Sequence, residues 1–85
     1  MLRLVFTDEG WDDYQQWVAS DRAVLKRMNA LITDARRDPT AGIGKPELLR
    51  FTDSIRWSRR ITQEHRLVYS FDNDQLIVWQ CRYHY

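Results

Sequence analysis

The reactive side chains of this sequence gather in its second half. Cys81-Arg82-Tyr83-His84-Tyr85 sets a thiol, a guanidinium, two phenols and an imidazole side by side. Upstream stand Arg56, Arg60 and Arg66, and before them a Pro/Gly-rich stretch carrying Lys45 and Glu47. One imidazole, one carboxylate and several guanidinium groups are the parts needed to cleave RNA by internal transesterification. A base takes the 2′-OH proton, cations stabilise the pentacovalent phosphorane, and an acid protonates the departing 5′-oxygen. Tyr83 and Tyr85 add ring faces on which an unpaired base can stack. Each residue also has a plainer reading. Arginines commonly cover a solvated sheet face, a loop Glu is commonly just solvated, and Cys81 reads as a small buried hydrophobe. The sequence contains no metal-ligand spacing, phosphate loop, nucleophile elbow or paired-cysteine motif, so no metal or cofactor is expected.

Composition bounds the chemistry. Eighty-five residues with 44% hydrophobic content make one modest domain over residues 1–85. Eleven aromatic residues argue against disorder. No apolar run approaches the ~18 residues that span a bilayer, and the N-terminus lacks the pattern of a signal peptide. A single cysteine makes no internal disulfide, which points to a reducing, cytoplasmic setting. Net charge is only +1, yet eleven Arg against two Lys favours a phosphate-bearing partner as much as it reflects codon bias.

The elements that must position these residues follow from periodicity. Residues 2–6 alternate as a short strand, and Thr7 can cap a helix over 8–19 with Trp11, Tyr14, Trp17 and Val18 on one stripe. A second helix, 21–37, places Val24, Leu25, Met28, Leu31, Ile32 and Ala35 at core spacing and stops before Pro39. Residues 38–47 read as a loop. Period-two patterns then predict strands over 55–62, 65–71 and 75–83 joined by short hairpin turns. The order β-α-α-β-β-β predicts an α+β fold, an antiparallel sheet with two helices on one face.

Alternation assigns faces. Ile55, Trp57 and Ile61 are expected inward, as are His65, Leu67, Tyr69 and Phe71, then Ile77, Trp79, Cys81 and Tyr83. Arg56, Ser58, Arg60, Thr62, Arg66, Val68, Ser70, Leu76, Val78, Gln80, Arg82 and His84 are expected on the opposite, working face. His65 reads as a structural or turn residue.

Four blocks then matter together: Gly44-Lys45-Pro46-Glu47-Leu48-Leu49, Trp57-Ser58-Arg59-Arg60-Ile61-Thr62, Glu64-His65-Arg66-Leu67-Val68-Tyr69 and the terminal Cys81–Tyr85. In order and spacing they resemble the YoeB/Txe toxins of bacterial toxin–antitoxin modules, within the RelE/ParE superfamily. The resemblance implies a ribosome-dependent, metal-independent endoribonuclease that cleaves mRNA in the decoding site of the 70S ribosome. It implies Glu47 as general base, Arg66 on the scissile phosphate, His84 as general acid and Tyr85 as a positioning group. Lys45, Arg50, Arg60, Arg82 and Tyr83 are the candidate substrate contacts. Implied partners are a YefM/Phd-type antitoxin, operator DNA through that antitoxin only, and a second copy of the chain. Leu48 and Arg50 stand where the family commonly has a proline and a lysine. Alternatives are a ParE-like gyrase inhibitor without nuclease activity and a non-catalytic RNA-binding module.

Overall fold

The computed structural model describes residues 1–50 and 54–83. Its elements are β1 (Arg3–Phe6), α1 (Asp8–Ser20), α2 (Arg22–Arg37), β2 (Glu47–Arg50), β3 (Ile55–Arg60), β4 (Arg66–Phe71) and β5 (Gln75–Gln80). The α+β class is as expected: two helices pack on one face of a sheet. Two features go beyond the pattern. Residues 47–50, of which 47 was expected in the loop and 48–50 were assigned no element, pair with β3 as a short edge strand. The five-stranded sheet, ordered β1-β5-β4-β3-β2, is also mixed, because β1 runs parallel to β5 while the other pairs are antiparallel. Among the described residues no helix is long and apolar enough to cross a membrane.

Local chemistry sets the helix ends. The Thr7 hydroxyl accepts the Gly10 N–H at 3.1 Å and donates to the Trp79 carbonyl at 3.1 Å, so one side chain caps α1 and ties it to β5. Asp8 and Glu9 occupy the first turn, where the helix dipole favours anions. Asp21 serves both helices. Its N–H donates to the Trp17 carbonyl, closing α1, and its carboxylate accepts the Val24 N–H at 3.1 Å, opening α2. Arg36 and Arg37 lie in the last turn of α2, the favoured end for cations.

The core is the layer between helices and sheet. Met28, Leu31, Ile32 and Ala35 from α2 and Trp17 from α1 meet Ile61, Leu67, Tyr69, Leu76, Val78 and Cys81. Leu67, Tyr69 and Ile61 therefore point as expected. Four face assignments are corrected. Leu76 and Val78 are fully buried on the helix side, and Ile77 and Trp79 lie on the other face. The reason is a bulge: Val68 pairs with Gln80 but Tyr69 pairs with Val78, so Trp79 is skipped. The strand changes phase there, which puts Cys81 inward as expected although the residues before it were read in reverse. Ile55 (72% exposed), Phe71 and Tyr83, all expected inward, are exposed.

Gly10, a poor helix former inside α1, is required there. A Cβ there would collide with the Val78 carbonyl oxygen, because the helix backbone lies directly against β5. Ala is the better helix former by ~1 kcal/mol, yet Gly10→Ala is expected to lose roughly 1–3 kcal/mol through overpacking. Urea denaturation checks this, and unchanged or raised stability would show that the approach is not tight.

Candidate active site

The face of the sheet away from the helices carries Glu47, Arg60 and Arg66, and the strand register says how they align. Glu47 pairs with Ser58, Ser58 with Val68, and Val68 with Gln80, in one row across four strands. One step further toward the end of the sheet, Arg60 pairs with Arg66. Paired residues share a face, and positions two apart along a strand do as well. Glu47, Arg60 and Arg66 therefore lie on one face at one end. Ser58 and Val68, between them, are buried, although both helices pack on the other side.

Two anchors build this end. The first is Arg59, fully buried on the helix side of β3. Its guanidinium donates to the Asp34 carboxylate at 2.6 Å, to the Tyr69 hydroxyl at 3.0 Å, and to the carbonyls of Ile43 (3.1 Å), Asp38 (2.7 Å) and Ala41 (3.0 Å). An arginine has five N–H donors, and these contacts occupy all of them. Asp34 also accepts the Ile43 N–H at 2.9 Å, and the Tyr69 hydroxyl donates to the Pro39 carbonyl at 2.6 Å. The loop before β2 is thus wrapped around one cation. Gly42, at φ 124°, passes so close to Asp34 that a side chain there would strike the carboxylate. The loop then delivers Lys45, at φ 54°, and Glu47, both exposed, while the Arg60 N–H holds the Gly44 carbonyl at 2.7 Å.

The second anchor holds the segment after β5. Asp13 accepts the Cys81 N–H at 3.1 Å, and the Trp17 indole donates to the Cys81 carbonyl at 2.7 Å. The Tyr83 carbonyl accepts the Arg66 N–H at 3.1 Å. Arg82 lies over the Tyr83 ring at 4.9 Å. Tyr83 and Arg82 therefore stand beside Arg66. The Arg66 guanidinium leans on the β3–β4 turn, donating to the Thr62 carbonyl at 3.0 Å.

Of the sequence candidates, Lys45, Glu47, Arg60, Arg66, Arg82 and Tyr83 collect at this end. Arg50 does not. It pairs with Ile55 at the far end of β2 and alternates to the opposite face from Glu47. His84 and Tyr85 lie outside the described residues. Cys81 is buried, and desolvation pushes its thiol up to about 12, which leaves it protonated. Arg56 lies against Trp79, 4.0 Å from the ring centroid, beside the row of Ser58. A depression of about 710 Å³ lies at the other end of the sheet, lined by Arg3, Arg36, Arg37, Phe71 and Asp74, and is unconnected with these groups. Arg59 and its partners were missed in the sequence, although alternation between Trp57 and Ile61 points Arg59 inward.

The model of the YoeB-like toxins of bacterial type II toxin–antitoxin systems matches residues 6–85. The toxin YoeB of Streptomyces coelicolor is 55% identical over 84 residues, covering 99% of this chain and all of the relative. Among solved structures, a YoeB/ParE toxin from Agrobacterium tumefaciens superposes with a TM-score of 0.91 at 48% identity, covering 99% of this chain and 100% of that one. Two Staphylococcus aureus structures agree. A YoeB dimer has a TM-score of 0.91 at 36% identity, covering 99% of this chain and 98% of that one. A YoeB–YefM complex has 0.88 at 35%, covering 100% and 99%.

The Arg59 cluster sets two expectations. Tyr69→Phe leaves the Arg59 Nε–H and the Pro39 carbonyl without their shared partner, and is expected to cost about 1–3 kcal/mol by urea denaturation. Hydrogen bonding from Ile43 and then Arg59 holds the Asp34 carboxyl below its usual 3.8. A depressed carboxylate contributes stability above its unfolded pKa and loses it as pH falls through the folded one. Asp34→Asn should therefore be less stable than wild type at pH 7, with the gap closing below about pH 4 as the wild-type carboxylate protonates. A gap independent of pH would exclude this linkage.

Proposed function

The chain belongs to the YoeB-like toxins of bacterial type II toxin–antitoxin systems, and from that premise we propose that it is a ribosome-dependent endoribonuclease acting on mRNA in the decoding site. The observation that carries this reading is the shared face and shared end of Glu47, Arg60 and Arg66, with Tyr83 alongside and His84 next in the chain. Glu47 takes the proton of a ribose 2′-OH, and the freed oxygen attacks the adjacent phosphorus. Arg66, with Arg60, stabilises the charge of the phosphorane. The bond to the 5′-oxygen breaks as His84 donates a proton to it, leaving a 2′,3′-cyclic phosphate and a 5′-OH. Tyr85 positions the substrate, and Lys45, Arg82 and Tyr83 contact neighbouring phosphates and bases. Each proton transfer contributes typically ~10²–10⁴-fold. The exposed setting of Glu47 and Lys45 leaves orientation of the RNA to the ribosome, a contribution of roughly 7–11 kcal/mol when complete.

Partners follow from the relatives. A YefM/Phd-type antitoxin restrains the toxin, as the Staphylococcus aureus complex suggests for its own pair. Operator DNA is reached only through that antitoxin, a homodimer resembles the one solved for the relative, and the protein works in the cytoplasm.

The test is primer extension on mRNA held in translating ribosomes, comparing wild type with Glu47→Ala and His84→Ala. Wild type is expected to cleave at the decoding site, and each substitution to lower the rate by on the order of 10²-fold or more. A folded wild type that does not cleave, or a His84→Ala variant as fast as wild type, would reject the assignment.

A further inference from the structure

Tyr83 turns the chain through the left-handed region, at φ 63°. That conformation is uncommon for a residue with a Cβ and costs ~1–3 kcal/mol unless its surroundings hold it. Besides Arg66, one side chain does so: the Tyr83 N–H donates to Nδ1 of His65 at 2.7 Å. His65 lies in the turn before β4, its side chain 12% exposed, edge-on to Trp17 at 4.7 Å and against the Tyr83 ring at 5.1 Å. Its own N–H is tied to the Thr62 hydroxyl at 3.1 Å. A ring nitrogen that accepts carries no proton, so the neutral imidazole is protonated on Nε2, which lies 3.5 Å from Glu64. A turn residue that looks merely structural in the sequence therefore grips the backbone one residue before His84.

We propose that His65 is a positioning residue. Its neutral imidazole latches the Tyr83 amide and fixes the backbone from which the proposed general acid follows. The effect on rate rests on the nuclease reading above; the latch itself does not. Misplacing a reacting group by about 1 Å can cost on the order of 10²-fold.

The ring packs through its edges and bonds through Nδ1, so the two contributions separate by substitution. His65→Phe keeps a ring against Trp17 and Tyr83 but has no acceptor. His65→Asn gives up the ring but places an amide oxygen near the Nδ1 position. In the ribosome assay His65→Phe is expected to lower kcat by roughly 10–100-fold with KM little changed, and His65→Asn to recover most of that loss. Thermal stability should rank the other way, with Phe above Asn. Wild-type rates in the Phe variant, or losses in both variants that track stability, would overturn the proposal. Should wild type prove to have no ribosome-dependent cleavage, NMR of the free protein still decides the latch. The Nε2–H tautomer at His65 and a Tyr83 amide that exchanges slowly in wild type and fast in His65→Phe are expected. Equal exchange in both would rule it out.

Discussion

One buried cation holds the two halves of this protein together. Arg59 has no contact with solvent, and an unpaired guanidinium there would be prohibitively costly. Its five bonds reach α2 through Asp34, β4 through Tyr69, and three carbonyls of the loop between Asp38 and Ile43. Loop backbone normally turns its carbonyls to water; here three are turned inward around a charge. The loop's course into β2 follows from that. Core and candidate site are therefore not independent layers: the same residue that completes the helix–sheet packing sets the path that presents Glu47.

Much of the scaffold was legible because periodicity is strong where burial is one-sided. The α2 stripe from Met28 to Ala35 and the inward Leu67 and Tyr69 are of this kind. The errors have local physical causes. Period-two reading assumes an unbroken ladder, and the skipped Trp79 breaks it, so the faces before the bulge were reversed while Cys81 came out right. β2 went unread because it is only four residues long and directly follows a Pro/Gly-rich stretch, and its pairing with β3 is a non-local fact. Arg59 was passed over for a different reason. Alternation points it inward, but nothing in the neighbouring residues shows that Asp34, 25 positions earlier, would meet it.

The candidate site was legible by a different route. Charge and alternation alone brought out Arg60 and Arg66, but no pattern around Glu47 distinguishes it from a solvated loop carboxylate, and its selection came from family resemblance. The register supplies the physical counterpart, since pairing with Ser58 puts it on the face of Arg60. Arg50 shows the limit of reading candidates by proximity in sequence: three residues along a strand reverses the face, so Glu47 and Arg50 end on opposite sides.

The shared cap at Asp21 bears on how the chain can vary in length. One residue both ends α1 and begins α2, so there is no linker to absorb an insertion. An extra helical residue turns everything after it by about 100°, which would carry Met28, Leu31, Ile32 and Ala35 away from the sheet together. The corner at Asp21 therefore fixes the residue count between the two helices, which pack on the sheet as one piece.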